Sequence, residues 1–258
     1  MPLLGLGAWD MYGREAEQAA SDALEIGYRL IDTASMYGNE KEIGEAIGRS
    51  GLPRNEIFLT TKVNNADQGF DSTLRAFEES LKKLSLDYID LYLVHWPVKN
   101  KRKQTWLALE RLYAEKKLRA IGVANYLLPF LNELSQYARM DPMVNQVEFT
   151  PWLFQKKLWD HCKERKIQLQ SYTPLARGKK LDDRRLLKIA EKYKRSPAQI
   201  VLRWNIDQGI SAIPKSSSKK RLQENFDSLN FTLSGEDILT ICSFDENFRV
   251  CDDPMIML

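Results

Sequence analysis

Histidine is scarce in this chain. Only His95 and His161 occur among 258 residues, which argues against a multi-histidine metal centre. Cysteine is nearly as scarce. Cys162, Cys242 and Cys251 are odd in number and have no C-x-x-C spacing. That speaks against a disulfide framework and for a reducing compartment. Charge of one sign is not in excess: 38 basic and 35 acidic side chains leave a net charge of +3. The balance is too even for nucleic acid or a membrane surface to be the main partner. No apolar run approaches the roughly 20 residues that span a bilayer. The opening MPLLGLGAWD has no basic region before its short apolar run and reads poorly as a signal peptide. These absences lead us to expect a cytoplasmic protein with no metal, no membrane and no nucleic-acid partner.

What is present suits a soluble globular chain: 43% of residues are apolar and 28% charged. Short apolar runs read as strands at 28–34, 56–63, 88–96, 118–125, 143–149, 167–173 and 210–214, with LLGLG opening the chain. Between them lie helical patterns. Leu74, Phe77, Leu81 and Leu84 recur at helical spacing. In SPAQIVLRW, Ser196 can cap, Pro197 suits the first helical position and Gln199 completes a capping box. SGEDILTI begins similarly at Ser234. Residues 182–209 are expected to hold two helices between the last two strands. Strands separated by helices imply parallel pairing through right-handed crossovers. Eight such units predict an α/β protein, a (β/α)8 TIM barrel, with an open doubly wound sheet as the competing layout. No linker or composition break appears, so residues 1–258 are expected to form one domain.

Barrel chemistry sits at the carboxyl ends of the strands. There the sequence places Asp32 and, just beyond, Tyr37; then Lys62, His95 and Trp96, Asn125, Gln146 and Tyr172; and the eighth strand runs into PKSSSKKRLQEN. Each has a plainer meaning alone. Asp32 suits a helix cap, Lys62 a solvated surface and His95 a satisfied core. Taken together, an acid, a lysine, a tyrosine and a histidine converging on neighbouring strand ends can be given coherent catalytic roles. Gly5-Leu-Gly7-Ala-Trp9 lacks the third glycine and the following helix of a dinucleotide fingerprint and reads as strand and turn.

Seven motifs in order carry a resemblance: GYRLIDTASMYGNE (27–40), FLTTKV (58–63), LYLVHWP (91–97), GVAN (122–125), NQVEF (145–149), YTPL (172–175) and IPKSSSKKRLQEN (213–225). The chain resembles the aldo-keto reductase family nearly end to end, and especially short microbial-type members similar to the 2,5-diketo-gluconate and prostaglandin F synthase-like reductases. The resemblance implies a (β/α)8 barrel that transfers hydride between NADPH and a carbonyl. Tyr37 would donate the proton. Lys62 would lower the tyrosine pKa from its free value near 10, Asp32 would hold Lys62, and His95 would orient the carbonyl. Tyr172 would stack on the nicotinamide, with Asn125 and Gln146 on its carboxamide. Thr173 and Leu175 of YTPL belong to the same cofactor site. Lys215, Ser216 and Arg221 would hold the 2′-phosphate, and Glu224 and Asn225 would face the adenine. Two cations and a hydroxyl favour NADPH over NADH. Trp9 and Trp96 would line the substrate pocket, and a monomer is expected.

The chain departs from the family pattern in places. Ala124 stands where serine is usual, which removes one carboxamide hydrogen bond. Thr150 replaces a common histidine, and Cys251-Asp252 replaces Gly-Pro in the tail. Two loops near the proposed site are basic, Lys99 to Lys103 and Arg177 to Lys180. Either they are solvated loops, or they form a positive rim that draws anionic carbonyl compounds such as keto-sugar acids. Aldehydes and small ketones, methylglyoxal among them, are the broad substrate expectation; bulky prostanoid-like ketones are a further one. A cofactor-binding regulatory or structural protein on the same fold is the rival function, and a metal-dependent hydrolase a weaker one.

Overall fold

The computed structural model describes residues 1–257. Eight strands form one sheet in sequence order, each parallel to the next. They are β1 (Leu6–Gly7), β2 (Leu30–Asp32), β3 (Phe58–Val63), β4 (Ile89–Val94), β5 (Leu118–Ala124), β6 (Val144–Glu148), β7 (Gln168–Tyr172) and β8 (Ser211–Ile213). The ring closes through the opening residues. The amide of Gly5 donates to Ala212 O at 2.9 Å, that of Gly7 to Pro214 O at 3.2 Å, and that of Ala212 to Leu3 O at 2.8 Å. A side chain at Gly7 would put its Cβ 2.7 Å from Ile213 O, so closure at this point needs glycine.

Crossover helices cover the outside: α1 (Gly13–Ile26), α2 (Glu40–Arg49), α3 (Phe70–Leu84), α4 (Arg102–Ala114), α5 (Leu128–Leu134) and α6 (Lys156–Glu164). Between β7 and β8 lie α7 (Arg184–Tyr193) and α8 (Pro197–Asp207), as the sequence predicts. The capping box of Ser196 and Gln199 is formed, with Pro197 at the first position. After β8 come α9 (Lys219–Phe226) and α10 (Gly235–Cys242). Among the described residues no helix is long and apolar enough to cross a membrane.

Strand parity decides which side chains reach the chemistry. Successive residues of a strand face opposite sides. Leu91 and Leu93 belong to a small cluster with Ala124, Val144 and Phe58, whereas Tyr92 and Val94 pack in the larger core beneath the helices. Continuing the odd parity of β4 carries His95 to the side of Leu91 and Leu93. In β3, Phe58 shares parity with Thr60 and Lys62, while Val63 faces the outer core. In β6, Val144 shares parity with Gln146 and Glu148. Polar residues at strand ends thus converge at one mouth of the barrel.

Candidate active site

Lys62 is fully buried at the end of β3. A buried ammonium must have its three donors satisfied, and here each has an acceptor. Nζ lies 2.5 Å from Asp32 Oδ1, 2.9 Å from Thr33 O and 3.4 Å from the Tyr37 hydroxyl. The second oxygen of Asp32 accepts from Gln146 Nε2 at 2.6 Å. Burial opposes the lysine's charge, but Asp32 and Tyr37 outweigh it and the pKa of Lys62 rises. For Asp32, burial raises the pKa more than Lys62 lowers it.

Tyr37 sits on a short 3-10 turn, Ser35–Tyr37, directly after β2. Gly38 ends the turn with φ of 70°, a left-handed geometry that suits glycine. Two residues that sequence reasoning passed over hold this turn. Ser35 Oγ donates to Lys62 O at 2.9 Å. Buried Asn39 donates to Ala8 O at 2.8 Å and Met11 O at 2.9 Å, and accepts from Thr33 Oγ1. Both lie within the motif around Tyr37, so their signal was proximity alone.

The family resemblance implies that Lys62 lowers the pKa of Tyr37. Burial is the larger influence and raises it; Lys62 pulls downward and Asp32 upward, and the net direction is up. The physical reason is the low polarity around the phenol, which penalises the phenolate more than the ammonium stabilises it. The hydroxyl therefore keeps its proton at neutral pH.

His95 follows β4 and is buried, its ring edge-on to Tyr37 with centroids 5.6 Å apart. Burial first, and then the charge of Lys62, push its pKa well below the ordinary histidine value. The imidazole is neutral at pH 7 and can donate a hydrogen bond. Trp96, beside it, is half-buried, and its carbonyl accepts from Gln68 Nε2 at 2.7 Å. Trp9 is exposed on the loop after β1.

The expected nicotinamide residues lie alongside. Asn125, at a left-handed φ of 66°, donates to His95 O at 2.9 Å and accepts from the Tyr172 hydroxyl at 2.8 Å. Gln146 has its amino group engaged: besides Asp32 it donates to Gln170 Oε1 at 2.7 Å. Gln170 in turn donates to Ser211 Oγ at 3.1 Å. A polar chain, Lys62–Asp32–Gln146–Gln170–Ser211, thus links five strands inside the barrel. Gln170 was not foreseen; its parity with Tyr172 in β7 was the available signal. Thr173 and Leu175 occupy the turn leaving β7.

After β8, Lys215 is exposed and Ser216 buried. Ser218 caps α9 by accepting from the amide of Arg221. Lys219 is engaged with Glu25 and Asp22 of α1. No ion pair among the described residues engages the side chains of Lys215 and Arg221. Glu224 is half-buried and Asn225 buried further along α9. Two unpaired cations, a serine hydroxyl and a helix amino terminus form a donor set suited to a phosphate monoester.

The departures also find places. Ala124 is buried in the interior cluster. Thr150 Oγ1 accepts from Leu153 N at 3.0 Å, which makes it a turn former. Cys251 lies 3.8 Å from Thr173 Oγ1. Its tail is anchored by buried Glu148, which accepts from the amides of Val250 at 2.7 Å and Cys251 at 3.1 Å. Among the described residues no cluster of three or more His, Cys, Asp or Glu could hold a metal ion.

Known proteins are similar to this chain in sequence and fold. The profile of the aldo/keto reductase family matches residues 3–246. Glyoxal reductase of Bacillus subtilis is 49% identical over 255 residues, covering 98% of this chain and 92% of its own. The 9,11-endoperoxide prostaglandin H2 reductase of Trypanosoma cruzi is 48% identical over 258 residues, covering 98% and 91%. A mutant of Gox0644, crystallised in complex with NADPH, superposes with a TM-score of 0.94 at 39% identity, covering 99% of this chain and 94% of its own. With the eight-stranded parallel barrel and the polar cluster at its mouth, these similarities place the chain in the aldo/keto reductase family, as an oxidoreductase.

Proposed function

We propose that residues 1–258 act as one barrel enzyme that reduces aldehydes, small ketones or keto-sugar acids to alcohols with NADPH. The observation that carries this reading is the Lys62 ammonium, shared between Asp32, Thr33 O and the Tyr37 hydroxyl, with neutral His95 edge-on to the same tyrosine. Every group of the cluster comes from one chain, which supports activity as a monomer. A similar protein crystallised with NADPH and another named a glyoxal reductase support the cofactor and the substrate class.

NADPH supplies the hydride when bound. As a carbonyl is reduced, negative charge gathers on its oxygen. Tyr37 donates its proton to that oxygen. Lys62 then stabilises the phenolate that remains, and Asp32 keeps the ammonium in place. His95, held neutral, donates a hydrogen bond to the same oxygen and fixes the face it presents. Tyr172 offers its ring to the nicotinamide, while Asn125 and the oxygen of Gln146 bind its carboxamide, with Thr173 and Leu175 lining the same turn. Lys215, Ser216 and Arg221 receive the 2′-phosphate, and Glu224 and Asn225 flank the adenine. Trp9 and Trp96 wall the substrate pocket.

The test is loss of NADPH absorbance with glyoxal, methylglyoxal, a keto-gluconate and a bulky ketone, each repeated with NADH. Turnover that favours NADPH over NADH is expected. Equal efficiency with the two cofactors would overturn the 2′-phosphate assignment.

A further inference from the structure

Of the three acceptors around Lys62 Nζ, the Tyr37 hydroxyl is the farthest, at 3.4 Å. That separation depends on how the turn after β2 stands against the end of β3. Ser35 ties the turn to β3 on one flank of Tyr37, its hydroxyl donating to Lys62 O. A second tie lies on the other flank. Thr61 Oγ1 donates to Oε1 of Glu40 at 2.7 Å. Thr61 precedes Lys62 in β3, and Glu40 opens α2, three residues after Tyr37. By strand parity Thr61 faces outward with Leu59 and Val63, opposite to Lys62. The tie therefore joins the two segments behind the barrel wall, away from substrate and cofactor.

A carboxyl is costly to place there. Glu40 is 2% exposed and Thr61 fully buried. The second oxygen of Glu40, Oε2, has no hydrogen-bond partner among the described residues. The neighbouring hydroxyls of Ser80 on α3 and Tyr92 on β4 have none of good geometry either. Burial is the largest influence on the carboxyl and raises its pKa; Thr61, Ser80 and the exposed Lys83 of α3 pull less strongly the other way. An apolar side chain would fill the place without that penalty. Side chains that break a packing rule gather at functional sites. The base of the tie is also rigid. A Cβ at Gly44, one turn further along α2, would lie 2.2 Å from Leu84 O of α3, so the two helices are in close contact.

We propose that Glu40 is a positioning residue, which through Thr61 holds the turn bearing Tyr37 against the strand bearing Lys62 and so sets the geometry of the proton donor. This rests on the reductase reading above. Glu40 acts here as a hydrogen-bond acceptor, so a neutral amide of the same shape can replace it. Glutamine offers Thr61 the same oxygen and turns its amino group toward Ser80 and Tyr92.

The experiment compares wild type, Glu40→Met, Glu40→Gln, Thr61→Val and the double variant Glu40→Met with Thr61→Val. It measures kcat for methylglyoxal, the NADPH dissociation constant by fluorescence, and the 13Cζ resonance of Tyr37 in tyrosine-labelled protein, identified by its loss in Tyr37→Phe. Glu40→Met is expected to lower kcat about 10- to 100-fold and to displace the Tyr37 resonance. Its NADPH dissociation constant should stay within about twofold of wild type. Glu40→Gln should recover most of the rate. Thr61→Val should slow reduction in the same direction, and the double variant should be no slower than Glu40→Met, because both changes remove one interaction. A kcat for Glu40→Met within about twofold of wild type would overturn the proposal, whatever stability is lost. So would Glu40→Gln as slow as Glu40→Met, or losses that multiply in the double variant. Should Glu40→Met fail to fold, Thr61→Val decides, and a wild-type rate counts against the proposal. Wild type that binds NADPH but reduces no carbonyl would instead overturn the reductase reading. The Tyr37 resonance would then decide Glu40, with no displacement counting against it.

Discussion

The two sides of the barrel mouth are built differently. At the ends of β2, β3 and β4, the charged groups are buried and paired before any ligand arrives: Lys62 with Asp32, and Asp32 with Gln146. At the ends of β7 and β8, Arg177, Lys215 and Arg221 are exposed and, among the described residues, have no carboxylate partner. The contrast fits the physics of the two tasks proposed for these sides. Proton transfer gains from groups fixed in a dry setting, where no reorganisation is needed during reaction. Anion recognition needs cations that are still uncommitted and can exchange water for ligand oxygens. On the proposed reading, one side is finished in the free protein, and the other is completed by the ligand.

The comparison breaks most sharply at Lys62. Lys62→Met leaves Asp32 buried without its cation, which should destabilise the fold by about 3–5 kcal/mol and lower Tm by about 10 °C. Reduction should slow about 10²- to 10⁴-fold. The stability deficit should shrink as pH falls, because protonation relieves the stranded Asp32. Thermal melts at neutral and acidic pH, with initial rates, check both.

On the open side the cost should fall on binding. Lys215→Met and Arg221→Met should each raise KM for NADPH about tenfold or more. They should leave NADH kinetics and Tm nearly unchanged. Steady-state rates over a cofactor series decide this, and a matching loss with NADH would contradict it.

Asn39 tests how the closed side is held. Asn39→Ala leaves Ala8 O and Met11 O without donors, so a loss of about 1–3 kcal/mol in urea unfolding is expected. Because the turn holding Tyr37 loosens, kcat should fall more than NADPH affinity.

The smallest effect concerns His95. Its folded pKa is depressed, so between that value and the unfolded value near 6.5 only the unfolded chain takes the proton. The stability that follows from the neutral imidazole is present above about pH 6.5 and declines as pH falls below it. Urea midpoints in this window should drop more steeply for wild type than for His95→Gln.

Much of this arrangement was legible in the sequence, for identifiable reasons. Strands buried on both faces read as apolar runs, and the polar residue at the end of such a run stands out. LYLVHWP shows this: β4 stops at Val94, and His95 follows on the inward parity. The capping box at Ser196 was equally plain. Other features were hidden. The first strand is only Leu6–Gly7, because closure uses backbone atoms of Leu3, Gly5 and Gly7 that leave no side-chain signature. Helix α4 buries Arg102 and Glu110, which blurs its apolar stripe; Glu110 accepts from Trp106 Nε1 at 3.0 Å and from the Arg139 amide at 2.6 Å. Gln170 and Glu148 act through partners on distant segments, Ser211 and the tail, which local spacing cannot show. The upward pKa of Tyr37 was out of reach for a related reason. Its sign depends on how much burial outweighs a neighbouring charge, and residue identity gives only the charge.

The most direct test of the account is to measure NADPH binding and methylglyoxal reduction side by side in wild type and Tyr37→Phe. The account predicts NADPH affinity within about twofold and a fall in kcat of about 10²-fold or more. A variant that binds NADPH and still reduces methylglyoxal at the wild-type rate would remove Tyr37 from the chemistry and contradict the central claim.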